Sequence, residues 1–142
     1  MARALIIDED RSVYVAVEKL LNQNNWVVVH ASNAQLGIKS IEDSDSKFDV
    51  VLVDIFMPGM NGLVTVKELR QRIPAVPIVV TSEYKFREST ELVPDYLGMA
   101  IKFGASYCLP KPFGPQHLMK AINACLHDAF LGDFSNSSQL PQ

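Results

Sequence analysis

Short apolar runs alternate with longer amphipathic stretches along this chain. Val50–Val53 is four apolar residues in a row, three of them β-branched, which predicts a strand buried on both faces. Ala2–Ile7, Trp26–His30, Ile78–Thr81 and Tyr107–Leu109 read as four more strands. Between them, apolar positions recur at helical spacing. Val13, Val17, Leu20 and Leu21 share a face within Arg11–Asn24. Ala34, Ile38 and Ile41 do so in a helix running to about Glu42. Leu63, Val66 and Leu69 mark Gly62–Arg72, and Leu118, Ile122, Cys125 and Leu126 mark Pro115–Phe130. Pro94–Phe103 reads as a further helix, with Pro94 in its first turn and Gly104 at its end. Ser32 and Asn33 are candidate N-caps, Asn25 a helix stop, and Asp43–Ser46 a polar loop. Pro74 and Pro77 bracket the turn before the fourth strand.

Five strands alternating with five helices predict an α/β fold. The expected architecture is a five-stranded parallel sheet with helices on both faces and right-handed crossovers. There is no internal repeat. The 142 residues suffice for one domain with a real core, read as residues 1–130. The Ser/Asn/Gln-rich stretch 131–142 reads as a disordered tail. No second domain, and so no output module, is legible.

Composition narrows the function. Formal charge is −3 with acids and bases interspersed, which offers no footprint for nucleic acid and no polybasic membrane patch. No apolar run approaches the roughly 20 residues of a membrane span. The N-terminus reaches Asp8 too early for a secretory signal, so a cytoplasmic location is expected. Cys108 and Cys125 lie in apolar settings and form no metal-ligand pattern with His30, His117 and His127. These five residues read as packing or surface residues.

The chemistry collects at strand ends. In a parallel sheet the carboxyl ends of the strands meet at one edge, where such sheets bind ligands. Strand one ends in Asp8-Glu9-Asp10, strand three in Asp54, strand four in Thr81, and strand five runs into Pro110-Lys111-Pro112-Phe113. Asp54 opens a loop marked by Pro58, Gly59 and Gly62; as a bare turn residue it would need no further role. Several carboxylates together repel one another, and a divalent cation relieves that repulsion. Oxygen-only ligands favour Mg²⁺. A lysine facing the metal offsets charge on a transferring phosphoryl group. A carboxylate can act as nucleophile and form an aspartyl phosphate, to whose oxygens a threonine hydroxyl can donate. Singly, each residue has an ordinary reading: a solvated N-cap cluster for Asp8-Glu9-Asp10, a strand residue for Thr81, a surface lysine for Lys111.

Together these residues resemble the receiver domain of bacterial two-component response regulators. The resemblance covers roughly residues 3–130 and rests on four motifs. They are the acidic turn after Leu5-Ile6-Ile7, the segment Val53–Gly62 around Asp54, Thr81-Ser82, and Lys111-Pro112-Phe113. It implies the flavodoxin-like (βα)5 topology. Asp54 would accept a phosphoryl group from a histidine kinase or phosphotransfer protein. Glu9 would bind Mg²⁺ directly, with Asp54 and the backbone carbonyl of Phe56, while Asp8 acts mainly through water. Asp10, a third acid beside the pair, allows that assignment to slip by one. Lys111 would contact the phosphoryl group, and Thr81 would swing toward it, coupling to the surface of helix four, strand five and helix five. The resemblance implies a signalling phosphoacceptor rather than an enzyme, a downstream protein partner, and room for a homodimer through that surface.

Three departures from the family pattern are visible. Three positions before the lysine, where the family usually has an aromatic residue, stands Cys108, with Tyr107 one residue earlier. One residue changes the face of a strand, so Tyr107 is not expected to substitute. The segment from Thr81 to Lys111 is longer than typical, the excess falling in Ser82–Val93. It is similar to the longer loop of some stand-alone receivers, with Tyr84, Phe86 and Arg87 as lid or partner-contact candidates. Phe56, two residues after Asp54, is placed to shield an acyl phosphate from water, and Glu83 to position water against it.

Two other classes remain open at this point. A receiver fold that binds partners without phosphorylation would use the same scaffold. A haloacid-dehalogenase-type phosphatase would use Asp8-Glu9-Asp10 as its Asp-x-Asp, but Arg11-Ser12 stands where Gly-Thr usually follows.

Overall fold

The apolar runs pair side by side into one parallel sheet. The computed structural model describes residues 1–43, 47–57, 61–82 and 96–138. In chain order the elements are β1 (Ala2–Ile7), α1 (Arg11–Gln23), β2 (Trp26–Ala31), α2 (Ala34–Asp43), β3 (Val50–Asp54), α3 (Gly62–Arg72), β4 (Ile78–Ser82), α4 (Tyr96–Phe103), β5 (Tyr107–Pro110) and α5 (Pro115–Ser138). The strand order is β2-β1-β3-β4-β5, every pair parallel. The expected architecture is thus present. Among the described residues no helix is long and apolar enough to cross a membrane.

The sheet divides the core in two. On one face Val17 and Leu21 of α1 and Leu118, Ile122 and Cys125 of α5 pack on Ala4, Ile6, Leu52 and Val79. On the other, Leu63, Val66 and Leu69 of α3 and Ala100 of α4 pack on Leu5, Ile7, Val51, Val53 and Val80, with Ile38 and Ile41 of α2 against them. β1 and β3 supply both faces, which is why Ala4–Ile7 and Val50–Val53 read as continuous apolar runs. Each fully buried Val, Leu or Ile contributes about 1.5–3 kcal/mol relative to exposure.

Local chemistry sets the boundaries. Asp10 caps α1, accepting from the Ser12 amide at 2.9 Å. Asn33 accepts from Leu36 at 2.8 Å at the start of α2, and Asn61 accepts from Leu63 and Val64 at the start of α3. Asn25 takes a φ of 65° after α1, a conformation asparagine tolerates. Gly62 has a steric reason: a Cβ there would stand 2.1 Å from the Ile55 carbonyl oxygen. Since Ile55 directly follows Asp54, Gly62→Ala is expected to cost about 2 kcal/mol by overpacking, read as a lower urea midpoint.

Arg70 ties the end of α3 to the start of β5. Its guanidinium donates to the carbonyls of Gly104 (3.0 and 2.7 Å), Ile73 (2.9 Å), Pro74 (3.2 Å) and Val76 (2.7 Å). Gly104 itself has a φ of +124°, a conformation open to glycine.

Two differences from the sequence reading have physical causes. β2 to β5 each run one residue past their apolar pattern, because the ladder uses backbone groups that Asp54, Ser82 and Pro110 still supply. The segment 131–138, expected to be disordered, is helical as the end of α5. Adding a residue to a formed helix costs far less than starting one, so α5 carries through weakly apolar sequence. Several expectations lie outside the described residues: the loop over Ser44–Ser46, the Pro58-Gly59 turn, the roles of Glu83, Tyr84, Phe86 and Arg87, the Pro94 first turn, and the tail from 139.

Candidate functional site

The register brings the polar strand ends to one level. Ile7 is paired with Val53 and Asp54 with Thr81, so Asp8, Asp54 and Thr81 follow one another across three adjacent strands. Ser82 is paired with Pro110, and its carbonyl accepts the Lys111 amide at 2.7 Å. That bond holds the lysine backbone beside the end of β4.

Lys111 reaches back over the edge and joins the two acids. Its Nζ stands 2.8 Å from Asp8 Oδ2 and 3.3 Å from Asp54 Oδ2. All three groups are withdrawn from water: Asp8 is 2% exposed, Asp54 6% and the Lys111 side chain 6%. Burial alone would lower the lysine pKa, but the Asp8 hydrogen bond and the charges of Asp54 and Asp8 outweigh it and hold the pKa above the ordinary value. The remaining carboxylate oxygens accept backbone N–H groups, Asp8 Oδ1 from Asp10 and Asp54 Oδ1 from Phe56, both at 2.9 Å.

Asp8, Glu9, Asp10, Asp54, Phe56 and Lys111 line a cavity of about 400 Å³. The acidic turn is divided by role. Asp8 is buried, Glu9 is exposed at the mouth, and Asp10 is engaged at the α1 N-cap, where Ser12 holds its carboxyl below the usual carboxylate range through side-chain and then backbone hydrogen bonds. Phe56, 37% exposed, is among the residues that line the same cavity. Thr81 is buried beside Asp54.

One residue in this arrangement escaped the sequence reading. His30, read as a packing or surface residue, places Nε2 2.8 Å from the Asp8 carbonyl oxygen and stacks on Tyr14 with ring centroids 4.2 Å apart. The available signal was its place at the end of β2, one strand from the acidic turn.

The donor set suits a hard cation. Four carboxylates and one ammonium line the cavity, all donors are oxygen, and the excess charge is negative. Among the described residues no three acidic, histidine or cysteine side chains close on a point as a metal cage. Mg²⁺ needs none: it takes one or two carboxylates and keeps several waters.

Comparison with known proteins decides the family. The family model for the response regulator receiver domain matches residues 4–123. The chain belongs to this family. Among relatives, the transcriptional regulatory protein CpxR homolog of Haemophilus influenzae is 30% identical over 126 residues, 89% of this chain and 51% of the relative. The nitrate/nitrite response regulator protein NarL of Escherichia coli is 35% identical over 141 residues, 98% of this chain and 59% of the relative. The receiver spans about half the length of the curated relatives it matches. Among solved structures, the chemotaxis protein CheY4 of Vibrio cholerae superposes with a TM-score of 0.76 at 26% identity, over 89% of this chain and 99% of that one. A CheY-like receiver domain protein from Methanospirillum hungatei gives 0.81 at 22% identity, over 93% and 98%, and speaks to the fold alone.

Within this receiver the aromatic departure is structural. Tyr107 packs with the α1/α5 cluster and Cys108 with the α3/α4 cluster. The two lie on opposite faces of the sheet, as strand alternation requires, so Tyr107 does not take the Cys108 position.

Proposed function

We propose that this receiver is a phosphoacceptor in two-component signalling, with Asp54 as the acceptor. The observation that carries the reading is the Lys111 ammonium held between two buried carboxylates at the carboxyl edge of the sheet. One Asp54 oxygen attacks the phosphorus of a phosphohistidine on a histidine kinase or phosphotransfer protein. The phosphorus–nitrogen bond breaks, the imidazole leaves with a proton, and an acyl phosphate forms on Asp54. Asp54 Oδ1 is oriented by the Phe56 amide, which leaves Oδ2, on the Lys111 side, as the attacking atom. Lys111 then follows the transferred phosphoryl oxygens. Thr81, on the adjacent strand, donates its hydroxyl to them.

Glu9 and Asp54, with the Phe56 carbonyl, would hold Mg²⁺, with Asp8 acting through water. When bound, the ion would neutralise charge on the phosphoryl oxygens. The new charge biases a two-state equilibrium and changes affinity for a downstream protein. A homodimer through the α4-β5-α5 surface is one form that change can take, and the setting proposed is the cytoplasm.

Intact mass after incubation with Mg²⁺ and acetyl phosphate tests the reading. A gain of one phosphoryl group, lost on chelation, is expected. No gain under any condition, with a kinase and a beryllofluoride mimic also failing, would leave a phosphorylation-independent interaction module.

Phe56 adds a prediction about lifetime. Phe56 lines the same cavity as Asp54, and the shielding reading has its ring exclude water from one approach to the acyl phosphate. The phosphorylated protein is expected to decay about tenfold more slowly than Phe56→Asn, ~1.4 kcal/mol in barrier. Equal or faster wild-type decay in the mass assay would reject shielding.

A further inference from the structure

Asp8 leaves the sheet where its partner strand runs out. Its N–H donates to the Ala31 carbonyl at 3.0 Å, the last bond between β1 and β2. β2 ends at Ala31, so no further backbone amide of that strand stands in line for the Asp8 carbonyl. The His30 side chain takes that place, with Nε2 at 2.8 Å. A carbonyl can only accept, so Nε2 carries the hydrogen. The ring is fixed in turn by Tyr14, stacked at an interplanar angle of 15°, and the Tyr14 hydroxyl donates to Glu18 on the same helix.

The bonded carbonyl belongs to the peptide plane that joins Asp8 to Glu9. That plane is rigid, so fixing its oxygen fixes the direction in which the chain enters Glu9. The Asp8 side chain is held separately, by Lys111 and by the Asp10 amide. The acidic turn is therefore gripped twice, through the Asp8 side chain by Lys111 just after β5 and through its backbone carbonyl by His30 of β2, itself stacked on Tyr14 of α1.

We propose that His30 is a positioning residue for the acidic turn. By holding the Asp8 carbonyl it sets the Asp8 and Glu9 carboxylates for a divalent cation at the Asp54 site. The proposal rests on the phosphoacceptor reading above. Residues that hydrogen-bond behind metal ligands commonly govern metal affinity by about 10–100-fold.

Two variants separate positioning from mere packing. His30→Phe keeps a ring against Tyr14 and removes the donor. His30→Gln keeps an N–H donor of similar reach. For the full chain, Mg²⁺ affinity is measured from backbone amide shifts in ¹H–¹⁵N spectra, alongside the urea midpoint and labelling by acetyl phosphate. His30→Phe is expected to bind Mg²⁺ about tenfold more weakly than wild type and to label more slowly, with His30→Gln restoring both. Wild-type Mg²⁺ affinity in His30→Phe overturns the proposal, as does a His30→Gln protein equally impaired. Should His30→Phe not fold, Tyr14→Leu frees the ring while leaving the donor, and is expected to weaken binding in the same direction; unchanged affinity there also overturns it. A wild-type protein that neither responds to Mg²⁺ nor labels overturns the phosphoacceptor reading first, and the proposal with it.

Discussion

An Asp54→Asn variant is expected to gain no phosphoryl group from acetyl phosphate or a phosphorylated donor, while keeping its fold. The amide is nearly isosteric with the carboxylate but offers no anionic oxygen to attack phosphorus. Its oxygen can still accept the Phe56 amide, as Asp54 Oδ1 does at 2.9 Å. Lys111 keeps its shorter contact, 2.8 Å to Asp8, so no buried cation is stranded. Loss of labelling should therefore come with a urea midpoint close to wild type. Labelling that persists at full stoichiometry would move the acceptor away from Asp54.

Lys111→Met is expected to have the largest effect on stability. The ammonium neutralises two acids that are nearly inaccessible to water. Removing one partner of a buried ion pair typically costs about 3–5 kcal/mol, because the remaining charge stays desolvated. Here the remainder is two like charges. Adding Asp54→Asn to Lys111→Met should recover part of the loss, a coupling that a double-mutant cycle reads directly. Mg²⁺ should raise the melting temperature of Lys111→Met more than that of wild type, since it supplies the missing positive charge.

The same lysine sets a pH dependence. Its folded pKa lies above the unfolded value, which is about 10.4. The stability it contributes is fully present below the unfolded value and is lost as pH rises through the folded one. Urea midpoints should fall above about pH 10.4 in wild type and lack that component in Lys111→Met.

Much of this was legible in the residues. Ala4–Ile7 of β1 and Val50–Val53 of β3 are buried on both faces, so those stretches had no polar interruption to confuse the pattern. The α3 span Gly62–Arg72 was read from Leu63, Val66 and Leu69, while the Asn61 cap and the Ile55 carbonyl that requires Gly62 emerged only in the structure. Asp8, Asp54 and Lys111 lay at strand ends, and parallel topology alone sends strand ends to one edge. The helical state of residues 131–138 was not legible, because their composition is polar and the helix is inherited from the turn before. The division of labour in Asp8-Glu9-Asp10 was hidden too: three adjacent acids look alike until one caps a helix and one is buried against a lysine. His30 was missed because its partner is a carbonyl oxygen, which every residue carries and no side-chain pattern marks.

The bonds around β4 and β5 bear on how the connection between them is held at its two ends. At one end Lys111 is fixed to the Ser82 carbonyl at 2.7 Å; at the other, Ser106 donates to the Ile78 carbonyl at 2.7 Å, and Arg70 clasps Gly104. The chain on either side of the crossover is thus moored by contacts that the crossover itself does not supply. The spacing between Asp54 and Lys111 is consequently held by backbone and Arg70 contacts that lie outside residues 83–95.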